Sequence, residues 1–122
     1  MPEQKRKKLP ALFYRTAAGR EPVREWLKNL PVEDRRILGT DIATVEFGWP
    51  VGMPVCRPIS GHPGLFEVRS SLTGNRIARV LFCIHGRQMV LLHGFIKKTD
   101  KTDQTPDTDL DLAMKRKKEL DR

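Results

Sequence analysis

Two hydrophobic periods divide the chain. Val23, Trp26, Leu27 and Leu30 fall at i, i+3, i+4 and i+7, the stripe of one helix face. Pro22 suits the first helical position, where its missing N–H costs nothing. After Pro31 a second helix is predicted from residue 32 to about 47, with Leu38, Ile42 and Val45 inward and Gly48-Trp49-Pro50 as its stop. So short a link predicts an antiparallel helical hairpin. From residue 65 the period becomes two. Residues 65–71, 76–85 and 88–98 read as consecutive strands, with turns at Thr73-Gly74-Asn75 and Gly86-Arg87. In the middle strand Ala78, Val80, Phe82 and Ile84 share one face; Ile77, Arg79, Leu81, Cys83 and His85 share the other.

The flanks are weaker. Residues 9–14 predict a short strand begun at Pro10, as suits an edge or a strand start. Residues 51–64, broken by Gly52, Pro54, Pro58 and Gly61, read as loop, and residues 99–109 as a polar segment. Asp107 or Thr108 caps a last helix over residues 110–120, whose stripe of Leu110, Ala113 and Met114 is narrow enough for weak packing or for packing on a partner. The order is strand, two helices, a three-strand antiparallel meander and a weak helix. That order predicts an α+β domain of two layers, the helix pair covering the apolar sheet face. At 122 residues the chain is expected to be one domain, residues 1–122, with 1–8 as a flexible basic arm.

No run approaches the ~20 apolar residues of a membrane span, and the start of the chain lacks the apolar core of a signal peptide. Cys56 and Cys83 form no CxxC pair and are too few for a disulfide framework, so reduced thiols and a cytoplasmic location are expected. Two cysteines and three scattered histidines give no structural zinc pattern. Neither a metal nor a cofactor is expected.

Charge changes the picture. Lys and Arg number 23 against 15 acids, a formal +8, which favours polyanionic partners without specifying a fold. Between residues 55 and 99 stand Arg57, Arg69, Arg76, Arg79, Arg87, Lys97 and Lys98 against the single acid Glu67, so this stretch alone carries 7 − 1 = +6. His62, His85 and His93 fall within it. Arg79 sits mid-strand between Ala78 and Val80, and must project to water, a cleft or a partner, because unpaired burial of charge is expensive. Glu67 and Arg69 share a face, as do His93, Phe95 and Lys97. A basic sheet surface carrying an aromatic for base stacking suits RNA. Plainer roles stay open for each residue: Arg69 pairing with Glu25 or Glu33, His85 ending a hairpin, His93 as a core histidine, Lys97-Lys98 guarding an edge.

Leu65-Phe66-Glu67-Val68-Arg69-Ser70-Ser71, Arg79-Val80-Leu81-Phe82 and Leu92-His93-Gly94-Phe95-Ile96-Lys97-Lys98-Thr99 resemble the phage-derived, HigB-like branch of the RelE/ParE toxin superfamily. Gly19-Arg20-Glu21-Pro22-Val23-Arg24-Glu25-Trp26-Leu27 and Glu46-Phe47-Gly48-Trp49-Pro50 carry the same resemblance through the helices. It implies a RelE-type fold and the toxin of a type II toxin–antitoxin pair. Many such toxins cut mRNA on the ribosome without a metal, the RNA 2′-OH attacking the adjacent phosphate to leave a 2′,3′-cyclic phosphate. The implied partner is an antitoxin, often with a helix-turn-helix domain. By this resemblance Arg79 matches the arginine on the scissile phosphate, Arg69 a basic position one strand earlier, and Lys97 and Lys98 a basic position after the last strand. The chain departs from its best-known relatives in two places. Its only tyrosine is Tyr14, near the opposite end from their C-terminal one, and Leu65 and Glu67 stand where they carry lysines.

In-line attack needs a base, cations for the phosphorane and an acid for the leaving oxygen. Arg79, Arg69, His93 and Lys97 are the expected catalytic set, with His93 the first choice of base and His62 the second. Arg57, Arg76, Lys98, Phe95 and His62 are the expected RNA contacts. Two other functions fit the same chain: a ParE-like inhibitor of DNA gyrase, and a nucleic-acid-binding module without catalysis.

Overall fold

The computed structural model describes residues 6–98 and 105–121. The tip of the basic arm and the start of the polar segment lie outside the described residues. The elements run β1 (Ala11–Phe13), α1 (Pro22–Lys28), α2 (Val32–Gly48), β2 (Cys56–Pro58), β3 (Leu65–Leu72), β4 (Arg76–His85), β5 (Gln88–Lys98) and α3 (Asp107–Leu120). One five-stranded sheet has the order β1-β5-β4-β3-β2. The meander of β3, β4 and β5 forms its centre, β1 joins β5 in parallel, and β2 adds an antiparallel edge beside β3. The α+β class and the meander agree with the periodicities; β2 is a strand inside the stretch read as loop. Gly86 and Arg87 both have positive φ, 60° and 66°, as a two-residue type I′ hairpin requires.

α1 and α2 lie over one face. Val23, Leu38, Ile42 and Val45 are buried there against Val68, Ala78, Val80, Phe82, Met89 and Leu91. α1 sits over β1 and β5, and α2 over β3. Trp49, Phe66 and Phe82 close the core with ring centroids 5.2–6.0 Å apart. Trp26 packs against Gly94, where an added Cβ would come within 2.4 Å of the indole.

The opposite face has its own cover. Ala113 of α3 is fully buried, and Leu110, Met114 and Leu120 join it on Leu65, Leu81, Cys83, Val90 and Leu92. The narrow stripe therefore packs within the chain, and α3 adds a partial third layer. Its far end is latched by Tyr14, whose hydroxyl bonds Glu119, and by Arg116, which donates to the Leu92 carbonyl at 2.7 Å and stacks over the Tyr14 ring. Burial holds the Arg116 guanidinium below its ordinary pKa and, with Glu119, raises that of Tyr14. The described end of the basic arm is also tied down: Lys7 pairs with Glu46 at 3.0 Å. No helix among the described residues is long and apolar enough to cross a membrane.

Candidate nucleic-acid interface

Pairing across the sheet decides which charged residues meet, because directly opposed residues in neighbouring strands point to the same face. One row runs Arg57–Glu67–Leu81–His93 from β2 to β5, the next Arg69–Arg79–Phe95, and the third Ser71–Ile77–Lys97. All three rows lie on the α3 side.

A β-bulge completes the arrangement. Leu81 pairs with His93 while Phe82 pairs with Leu91, which leaves Leu92 as an extra residue in β5. Up to the bulge, Val90 and Leu92 itself face α3; beyond it, His93, Phe95 and Lys97 do. Without the extra residue these three would turn toward α1 and α2. Bulges recur beside functional sites for this reason: they re-aim side chains.

Glu67 is the hub. It is fully buried, and Arg57 Nε donates to its Oε1 at 2.7 Å. Arg69 Nε and Arg79 Nη1 approach the same oxygen to 3.8 and 3.9 Å, and Thr105 Oγ1 donates to the other at 3.2 Å. These three guanidinium groups and the one carboxylate carry 3 − 1 = 2 formal positive charges among themselves. A lone buried carboxylate or guanidinium would be costly, and the cluster offsets much of that cost by mutual pairing. Arg79 is only 2% exposed, so the mid-strand arginine projects to a partner and not to water. His93 stacks on Phe95 at 5.7 Å, and its Nε2 lies 2.5 Å from Asp109 Oδ1 of α3.

The expected residues thus divide. Arg57, Arg69, Arg79, His93, Phe95 and Lys97 come together on one face. Arg76 and Lys98 do not: they oppose each other at the end of the β4–β5 ladder, on the side of α1 and α2. There Arg76 grips Asp34 of α2 through both oxygens at 2.9 and 3.0 Å. The bond holds the Asp34 carboxyl below its ordinary pKa. His62 lies in the β2–β3 loop, three residues before β3, where Gly64 backs onto Lys117 of α3. Arg69 does not take Glu25 or Glu33, which pair with Arg20 and Arg36. His85 is half exposed at the hairpin end, 3.9 Å from Asp121.

Three contributors are absent from the sequence-based set: Glu67 as hub, Thr105 as its hydroxyl donor and Asp109 as the partner of His93. Glu67 left a signal, an acid two residues from an arginine on a strand otherwise apolar or neutral. Thr105 and Asp109 left none, since only the docking of α3 brings them here. Among the described residues, no three His, Cys, Asp or Glu side chains gather as a metal site would need.

A comparison with curated proteins found no match. At the level of families, residues 25–118 match the phage-derived Gp49-like proteins (DUF891), a span that holds α2, the whole meander and most of α3. The chain therefore belongs to the Gp49-like family, a RelE/ParE-like family of toxins from toxin–antitoxin pairs, and membership implies a cognate antitoxin as its partner.

Proposed function

We propose that this toxin is a ribosome-dependent mRNA endoribonuclease of the HigB-like kind, acting in the cytoplasm without a metal and held in check by an antitoxin with a helix-turn-helix domain. The observation that carries the reading is the gathering of Arg57, Arg69, Arg79 and Lys97 with His93 and Phe95 on one sheet face. Arginine presents a planar fork to phosphate oxygens, so the trio around Glu67 suits a phosphorane whose charge grows in the transition state. Glu67 positions the forks, and Phe95 offers a ring on which a base can stack.

The chemistry is a transesterification. The RNA O2′ bonds to phosphorus as the P–O5′ bond breaks, leaving a 2′,3′-cyclic phosphate and a 5′-hydroxyl. His93 takes the proton from the 2′-OH, and the Lys97 ammonium, on the same face, supplies one to the leaving O5′.

Primer extension on mRNA from cells expressing the toxin tests this. Cuts that require translation should appear, and Arg79→Ala should abolish them. Arg24→Ala, which removes an exposed α1 arginine paired to Glu21, should leave them intact. Intact mRNA with falling DNA supercoiling would identify a gyrase inhibitor instead, and RNA binding without cuts a plain binder.

A further inference from the structure

A polyanion is gripped only by cations it can touch, yet Arg79 is 2% exposed and Glu67 not at all. Over the Glu67–His93 row, next to that of Arg79, lie Thr105 and the first turn of α3. Thr105, itself buried, bonds Glu67, and Asp109 bonds His93. Asp107, between them, borders a cleft of about 450 Å³ whose opposite wall is Arg57, Pro58 and Ile59. The covering segment offers the site a hydroxyl and carboxylate oxygens. An RNA strand offers the same chemistry: a 2′-hydroxyl and anionic phosphate oxygens.

We propose that the groove beneath residues 105–109 is where the RNA backbone binds, and that in the free chain these residues occupy it as an acidic stand-in for RNA. The proposal rests on the nuclease reading above and adds the place of binding and what competes for it. RNA and the first turn of α3 exclude one another. The two ends of α3 are held differently, and this makes the exchange feasible. Its second half is anchored by Ala113, Met114 and Leu120 and by the Tyr14, Arg116 and Glu119 latch. Its first turn has a single apolar contact, the half-buried Leu110, beside polar contacts to the groups RNA would claim. The helix can therefore open at its start while its end stays seated. A site populated open only part of the time binds with an affinity reduced by that fraction.

The test is RNA affinity of the full chain, measured by fluorescence anisotropy with a labelled 2′-O-methyl RNA that cannot be cut. Asp109→Ala should bind several-fold to about tenfold more tightly than wild type, the factor by which a mostly closed site suppresses affinity. Asp111→Ala is the control: it removes the same charge from an exposed position on α3, and should gain much less. Hydrogen exchange in residues 105–112 should speed up when RNA binds. Three results overturn the proposal. Equal gains in the two variants would mean that only net charge matters. Weaker binding or slower cleavage in Asp109→Ala would make Asp109 a working part of an open site. Slower exchange in residues 105–112 with RNA would show the first turn staying in place. In each of these, loss of the translation-dependent cuts in Arg79→Ala would keep the nuclease reading intact. If Arg79→Ala still cuts as wild type does, that reading fails and the proposal falls with it.

Discussion

The two faces of the sheet are made from alternate residues of the same strands, yet different forces cover them. On the α1–α2 face Val68, Val80 and Phe82 meet two helices and an aromatic trio, and the polar contacts there, Ser70 with Asp41 and Arg76 with Asp34, sit beside a continuous apolar core. The α3 face is split. Leu65, Leu81, Cys83, Val90 and Leu92 hold α3 at one end, while the other end is a cluster of arginines around Glu67. Hydrophobic burial is nearly indifferent to the exact partner. Charge pairing is not, and it exchanges readily for another anion. One face can thus keep the fold while the other trades its cover for a ligand.

The division would break most visibly in the core. Phe82→Ala should cost about 3–5 kcal/mol of unfolding free energy, as expected for truncating a fully buried aromatic. Leu110→Ala, at the half-buried start of α3, should cost about 1 kcal/mol, since surface-proximal changes without a buried void stay small. Urea denaturation of both variants checks this, and equal losses would mean that the faces share one core.

Each face also contains a buried thiol that reports its own opening. Burial pushes the Cys56 thiol up to about 11, and raises that of Cys83 as well, so neither is reactive until uncovered. Cys83 sits under α3 near Lys117, and Cys56 in the core beneath α2. In single-cysteine variants under native conditions Cys83 should react with a disulfide reagent several-fold faster than Cys56. Identical rates, both tracking global unfolding, would show that α3 does not lift independently.

The smallest effect concerns Asp34. Its carboxyl is held below its ordinary pKa by the bond from Arg76, so it binds its proton more weakly folded than unfolded. The stability this confers is fully present above the unfolded pKa of about 4 and is lost as pH falls through the folded value. Asp34→Asn should therefore be less stable than wild type at neutral pH, with the gap closing in acid. Melting temperatures across the acid range measure it; a constant gap would remove ionisation as the cause.

Much of this was legible in residue order. Helical spacing placed α1 and α2 within a residue or two, and period two placed the meander, because burying one face of a local element leaves a local pattern. Period two also assigned Arg79 to the face opposite Val80 and Phe82, and grouped His93 with Phe95 and Lys97. It could not say that these two groups share a face. That depended on Leu92, the extra residue of the bulge, which is a property of how β5 pairs with β4 and not of either strand alone.

Other decisions were likewise made only in three dimensions. Arg76 looked like its basic neighbours until α2 brought Asp34 beneath it. Glu67, a lone acid in a basic stretch, became the residue around which three arginines are arranged. A narrow stripe on α3 sufficed because the sheet offered Leu81, Cys83 and Leu92 to receive it, and its docking put Thr105 and Asp109 over the basic rows. The sequence by itself determined which residues alternate together and how much positive charge their stretch carries. The tertiary structure decided which face received that charge and what covers it, because facing and cover depend on contacts between segments far apart in the chain.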